Sequence, residues 1–507
     1  MMPFEELVRV AAGSDPVAAA VLLVPLLAPM LVAVAAVVVG WRPAVAWSTV
    51  AASVAILGSG VVAAVATSDG SELTVGGMLR VDALSAVMLL VIGVVAVVAT
   101  WSGVGYIDHE IAAEHTDARG AQRYGLLVPL FLTAMVLAVE ASNLGVLWAA
   151  VEATTIVTAF LVGHRGGRAA VEATWKYVII CSVGIALAYL GTVLVYYASQ
   201  HTGTGEAGSL DWTVLVAQAD QLDPGVMRIA VPLLVLGFGT KVGLVPMHSW
   251  LPDAHSQAPA PVSALMSGVL LSVAVYALLR YRVIAVAALD GEFVRNLLLV
   301  VGLASVALAA SLLLAQRDYK RLLAYSSIEH MGLVIIGVAI GTPLAVAALL
   351  LHILGHGLAK AVLFCASGQI LASEGTTRIA DVRGLLARRP VLAGSFALGL
   401  AALLGLPPFS LFVSELALAR AAADAGVFWA VAVALVLLLV VFVAIAGHAA
   451  GMLFGAAPSG LATAAPTSTR AAAAPLVTGL IALAILGVVA WPLDVLLHAA
   501  SIIAGTS

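Results

Sequence analysis

The stretch TKVGLVPMHSWLPDAHSQAPAP, residues 240 to 261, sets Lys241, His248, Asp253 and His255 among prolines and apolar residues. Similar stranded groups recur along the chain. Glu152 lies deep in LGVLWAAVEATTIVTAFLVG, with Glu140 and Asn143 just before that run or at its start. His352, His356 and Lys360 follow at four-residue intervals in LHILGHGLAKAVLF. That spacing places all three on one stripe of a helix, each about one turn from the next. Glu329 and His330 adjoin in YSSIEHMGLV, and Glu415 sits in LFVSELALAR.

An ionisable side chain in the middle of a bilayer costs about 2.5 to 3.5 kcal/mol even on the gentler insertion scale. Groups kept at that cost mark either a structural ion pair or a pathway. Burial disfavours the charged form of a lysine and of an unpartnered carboxylate alike. A glutamate and a lysine that approach each other stay charged; separated, they favour a neutral amine and a protonated carboxyl. The pattern therefore predicts proton handling at Glu152, Lys241 and Glu415, which lie well inside apolar runs. Glu140 and Glu329 lie near run ends, where interfacial water could solvate them.

The His352/His356 spacing is one that zinc sites use. No third ligand adjoins it and Lys360 shares its stripe, so no metal is expected. Cys181 and Cys365 are the only cysteines, far apart and within apolar runs. They read as small buried hydrophobes, and two thiols are too few for an iron-sulfur cluster. Gly203, Gly205 and Gly208 spell G-x-G-x-x-G, but they follow an apolar run rather than a strand and open no βαβ unit, so the segment reads as a flexible loop.

The elements that must carry these groups are set by composition. Of 507 residues, 63% are hydrophobic and 10% charged, and mean hydropathy is +1.12. The chain reads as an all-α polytopic membrane protein, because in lipid each backbone group must be satisfied within its own helix. A net charge of -4 argues against a nucleic-acid partner. Fourteen apolar segments are long enough to span, roughly 17–39, 44–67, 82–105, 124–140, 144–163, 175–198, 229–250, 260–280, 294–315, 322–341, 344–372, 391–420, 426–454 and 473–498. The first is too long for the apolar part of a cleaved signal. With the N-terminus outside, the inward-facing loops carry 14 lysines and arginines against 7 in the outward-facing segments. The positive-inside rule thus predicts both termini on the outer face.

Pro246 falls inside the seventh span, and Pro407 and Pro408 inside the twelfth. Proline frees a carbonyl that lipid cannot satisfy, so each break belongs in a protein-lined polar cavity. Two broken spans five apart fit an inverted repeat of five helices, spans 4–8 and 9–13. The chain then divides into residues 1–123 (spans 1–3), 124–288 (first repeat), 289–455 (second repeat) and 456–507 (last span).

The segments KVGLVPMHSWLPDAHSQAPAPVSALMSG, YSSIEHMGLV, HGLAKAVLF, LLGLPPFSLFVSEL and VEATTIVTAFLVG resemble the antiporter-like membrane subunits of respiratory complex I and of Mrp-type antiporters. YSSIEHMG and the EATT after Trp148 are most similar to the F subunit of hydrogenase-4 and formate-hydrogenlyase complexes. The resemblance covers roughly residues 80 to 455. It implies a proton-translocating subunit of the cytoplasmic (inner) membrane. Glu152 would be the carboxylate of the fifth helix, Lys241 its partner and Glu415 the terminal carboxylate. Lys360 with His330, His352 and His356 would bridge the two halves. Ser272 stands where complex I members commonly carry a lysine, which interrupts the bridge unless Lys360 and His330 suffice. The resemblance further implies partner subunits that hold iron-sulfur clusters and a nickel-iron or quinone site. The alternatives are a Mrp-like cation/proton antiporter, the membrane half of an inorganic-carbon uptake complex, and a scaffold that no longer moves protons.

Overall fold

The computed structural model describes residues 15–200, 209–456 and 470–505; the glycine motif at 203–208 lies outside them. Among the described residues thirteen helices are long and apolar enough to cross a membrane. In chain order the elements begin with α1 (Pro16–Val39), α2 (Pro43–Thr67), the hairpin β1 (Leu73–Val75) and β2 (Leu79–Val81), α3 (Ala83–Ala112), α4 (Ala118–Glu140), α5 (Leu144–Val162) and α6 (Gly167–Ser199). The short α7 (Trp212–Ala217) leads to α8 (Pro224–Val242), α9 (Trp250–Gln257), α10 (Ala260–Ala288), α11 (Gly291–Leu313), α12 (Tyr319–Ile340) and α13 (Pro343–Glu374). The chain closes with α14 (Leu385–Arg388), α15 (Pro390–Leu403), α16 (Ser410–Asp424), α17 (Phe428–Phe454), α18 (Arg470–Val488) and α19 (Asp494–Ala504). The all-α membrane fold expected from composition is thus observed.

Burial separates a centre from a rim. The most apolar stretches of α10 and α12 are 100% buried and that of α13 is 94% buried, against 33% for α1, α17 and α18. Helices with lipid all round would show the lower value, so the polar residues of α10, α12 and α13 face protein. Within α10 the residues Met266–Leu270 widen into a π turn, an irregularity often found at functional positions. Small residues bring α6 and α8 close. A Cβ on Gly237 would stand 2.4 Å from the backbone nitrogen of Ala188, and one on Gly184 would stand 2.5 Å from the Thr240 side chain. Such contacts replace hydrophobic burial as the force between helices in lipid, and they bring the end of α8 against α6.

Both proline breaks are present, and each shortens an expected span. The seventh ends at Val242, not 250; Gly243 turns the chain with φ of 84°, and α9 restarts at Trp250 beyond Pro246. The twelfth splits into α15 and α16 around Gly405 (φ 63°), Pro407 and Pro408. Protein groups meet the backbone freed at the first break. The Trp250 indole donates to the Thr240 carbonyl at 2.9 Å, and the Val245 amide donates to Ser305 Oγ of α11 at 3.1 Å. The fourteenth span also ends early, at Val488, and α19 follows as a separate short helix.

Two cations at or just beyond the ends of expected spans are buried. Lys320, in the RDYKR turn, donates to the Ser256 and Ala258 carbonyls at 3.0 and 2.9 Å. Arg280 donates to Asp82 at 2.7 Å, and Asp82 takes Arg80 at 2.8 Å. Both guanidinium groups lie over the Trp212 ring. Asp82 caps α3 by accepting the Ser85 amide. Burial alone would raise its carboxyl, but the charge and hydrogen bond of Arg280, with Arg80 and the Ser85 amide, hold it down at about 2.

Asp82→Asn leaves two buried cations short of a countercharge and is expected to cost about 3 to 5 kcal/mol. The check is thermal unfolding in lipid nanodiscs, where Tm falls well below that of Glu72→Gln, a change at the half-exposed partner of Arg80. Because the folded carboxyl is depressed, the stabilisation holds above about pH 4 and is lost only as pH falls toward 2.

Candidate functional site

The first group of charges forms where α5, α6 and α8 meet. Asn143 caps α5, accepting the Gly145 and Val146 amides at 2.8 and 3.3 Å. It thereby fixes the start of the helix that carries Glu152 and, one turn on, Thr155. Lys241 lies in the last turn of α8, where free carbonyls favour a cation. Its side chain is fully buried. Lys241 and Glu152 make no direct ion pair. The ammonium donates to Thr155 Oγ1, and the Thr155 hydroxyl donates to Glu152 Oε2 at 2.9 Å. The Tyr177 hydroxyl of α6 completes the cluster, 3.4 Å from Lys241 Nζ and 2.7 Å from Thr158 Oγ1. The arrangement is a base and an acid joined through one neutral hydroxyl.

The second group lies on the buried helices α12 and α13 and on α16, beyond the second break. His330 Nδ1 and His352 Nε2 stand 3.0 Å apart. His352 Nδ1 meets Ser414 Oγ of α16 at 3.0 Å. His330 Nε2 lies 3.4 Å from the Glu329 carboxylate. The His356 ring centroid is 5.1 Å from that of His330, and neither His356 nitrogen has a hydrogen-bond partner among the described residues. Lys360 donates to the Leu323 carbonyl at 2.7 Å and to Ser326 Oγ at 2.6 Å. Glu415 brings a carboxylate oxygen within 4.8 Å of ligand atoms on both His330 and His352, lodged against Gly405, where a Cβ would stand 2.5 Å from Glu415 Oε2.

The remaining candidates are scattered over several elements. His255 is fully buried and stacked on Phe364 with ring centroids 4.9 Å apart; both ring nitrogens lack a partner among the described residues. Asp253 is taken up by cations, Lys176 at 3.0 Å and Arg321 closer still, so it ties α9 to α6 and α12. His248 sits half-buried in the first break. Glu140 and Glu329 do not face interfacial water: they are 0% and 1% exposed, and both Glu140 oxygens lack a partner among the described residues. Ser272 donates to the Gly268 carbonyl of its own helix at 3.3 Å. Cys181 and Cys365 are free and buried, as the sequence suggested.

Sequence reasoning missed Thr155, Tyr177, Ser326, Ser414 and Lys320. Hydroxyls carry no insertion cost large enough to stand out from a sequence, and Lys320 looked like a loop residue. The Ser267 and Ser327 hydroxyls, 2.8 Å apart, join α10 to α12. Among the described residues no direct hydrogen bond runs from Lys241 to Lys360, so a proton path between the two groups would need bridging water.

The family described as NADH:quinone oxidoreductase/Mrp antiporter, TM, matches residues 141–442, a range that contains every charged residue of both groups. A hydrogenase-4 component F homolog from Methylacidiphilum infernorum (isolate V4) is 40% identical over 340 residues, 67% of this chain and 71% of that protein. A chain of the membrane-bound sulfane sulfur reductase, an archaeal respiratory membrane complex, has the same fold, with a TM-score of 0.83, 24% identity and coverage of 97% and 98% of the two chains. A chain of the Mrp complex from Dietzia sp. DQ12-45-1b gives a TM-score of 0.81, 24% identity and coverage of 96% and 97%.

Thr155→Val removes the hydroxyl between Lys241 and Glu152 without changing volume. An unsatisfied buried donor costs about 1 to 3 kcal/mol, more when charged. The expected result is a lower Tm in nanodiscs, which Thr155→Ser restores to near the unmodified value.

Proposed function

The chain belongs to the NADH:quinone oxidoreductase/Mrp antiporter family, and from that premise we propose that it is a proton-translocating membrane subunit of a complex I-like redox complex, of hydrogenase-4 or NADH dehydrogenase type. The observation that carries the proposal is the Lys241, Thr155, Glu152 relay, set at a helix break and separated from a second buried set on α12, α13 and α16. A lysine held by a hydroxyl rather than locked on a carboxylate can release its proton when a neighbouring charge moves. The Glu152 carboxylate can take up a proton in the same step. The second set offers Lys360, His356, the His330/His352 pair and Glu415 as successive stations.

In this reading the electrons belong to partner subunits, which carry iron-sulfur clusters and a nickel-iron or quinone centre. The chain lies in the cytoplasmic membrane with both termini outside. Its two five-helix repeats act as paired half-channels, with Ser272 leaving the bridge to Lys360 and the histidines. The 40% identity to a hydrogenase-4 component F homolog supports a redox partner. The fold shared with a Mrp chain supports a second reading, a cation/proton antiporter that works without redox chemistry.

In membrane vesicles holding the assembled complex, Lys241→Ala and Glu152→Gln are each expected to abolish coupled proton pumping while the complex assembles normally. A normal proton-to-electron ratio in either variant overturns the assignment. Copurification of iron-sulfur subunits with the chain supports the redox reading, and their absence from an active complex supports the antiporter.

A further inference from the structure

The i, i+4 pair His352/His356 does not form a chelate, but folding supplies His352 with better partners. His330 arrives from α12 and Glu415 from α16, and with His352 of α13 their ligand atoms all lie within 4.8 Å of one another. The hydrogen bonds around the two imidazoles fix which nitrogens are available. The Ser414 hydroxyl donates its one proton to the Leu411 carbonyl at 2.8 Å. Toward His352 Nδ1, 3.0 Å away, it therefore accepts, which leaves the lone pair of His352 on Nε2. That lone pair points at His330 Nδ1, 3.0 Å away. His330 Nε2 in turn faces the Glu329 carboxylate at 3.4 Å. Metal-bound imidazoles are commonly held in this way, the far nitrogen on an oxygen acceptor and the near one free to coordinate.

We propose that His330 Nδ1, His352 Nε2 and the Glu415 carboxylate form a binding site for a first-row divalent transition ion, with Zn²⁺ as its representative. Two nitrogens bound to a tetrahedral zinc at about 2.0 to 2.1 Å stand about 3.3 Å apart, so the imidazoles need to open by only a few tenths of an ångström. The proton now shared between them moves to His330 Nε2, where Glu329 accepts its hydrogen bond. Two imidazoles and one carboxylate suit zinc or ferrous iron rather than calcium or magnesium. Glu415 and Glu329 bring carboxyl groups to the place, Glu329 buried and Glu415 half-buried. Lys360 shares the helix stripe, and its positive charge reaches His330. It lies eight residues beyond His352, about 12 Å along the helix, and its ammonium is engaged by Leu323 and Ser326.

The site coincides with stations of the proton route set out above. Resting on that reading, an ion held there removes both histidines and Glu415 from proton exchange and acts as a plug. The site itself does not depend on the route being correct.

The test is equilibrium dialysis of the purified complex against ZnCl₂, with zinc counted by mass spectrometry. The unmodified complex is expected to take up one more zinc per chain than His330→Gln, His352→Gln or Glu415→Gln, whose affinity falls by at least about 100-fold. Ser414→Ala, which only releases His352 Nδ1, weakens binding about tenfold, and His356→Gln leaves zinc uptake unchanged. Each variant is first shown to assemble by size-exclusion chromatography. X-ray absorption at the zinc edge is expected to show two imidazole ligands, and this reads the unmodified complex even if a variant fails to assemble. No saturable zinc, an absorption spectrum without paired imidazoles, or uptake that survives all three ligand substitutions overturns the site. Saturable zinc that leaves proton pumping at full rate upholds the site and overturns the route through it.

Discussion

A charge in hydrocarbon must be given polar company by the protein or by water, and the architecture of this chain follows from that requirement. Lys241, Lys320 and Lys360 are fully or almost fully buried, yet none of them is neutralised by a carboxylate in direct contact. Each ammonium is met by neutral oxygen: Thr155 and Tyr177 hold the first, the carbonyls of Ser256 and Ala258 the second, a carbonyl and Ser326 the third. The difference is mechanical. A pair of opposite charges 4 Å apart is worth about 4 kcal/mol at an effective dielectric of 20, enough to hold a proton in place. A hydroxyl bridge keeps the acid and base in communication without that trap.

Where a cation stays permanently charged and silent, the fold does something else. Arg280 and Arg80 grip Asp82 directly and lie over Trp212. Arginine keeps its proton and matches a carboxylate geometrically, so this cluster fastens α3 to α10 at one end of the bundle. The contrast between arginine on carboxylate and lysine on hydroxyl separates the structural charges from the ones proposed for transport. The helix breaks serve the second kind. They place Lys241 at a helix end and set α16 so that Ser414 and Glu415 reach the histidines of α12 and α13.

Much of this was legible in the sequence because lipid makes charge conspicuous. Glu152, Lys241, Lys360 and the histidines stood out against apolar runs, and the prolines at 246, 407 and 408 marked both breaks. The span count holds once the α15 and α16 pair is taken as one crossing. What was not legible depends on three-dimensional meeting. Thr155 is ordinary in a helix until Lys241 arrives from α8. No partner of His352 in this group adjoins it in sequence: His330 lies 22 residues earlier and Glu415 63 residues later. Lys320 and Arg280 lie at run ends, where loop and buried helix terminus have the same composition. Glu140 and Glu329 were ambiguous for the same reason, and packing of neighbouring helices decided for burial.

The central claim is that these groups act together although no direct hydrogen bond joins Lys241 to Lys360 among the described residues. A cryo-electron microscopy map of the assembled complex in lipid, at a resolution that shows ordered water, tests it most directly. The account predicts a file of waters from Thr155 and Lys241 past the Ser267 and Ser327 hydroxyls to Lys360 and His356. Dry apolar packing across that interval, or the charged groups turned toward lipid, would contradict it.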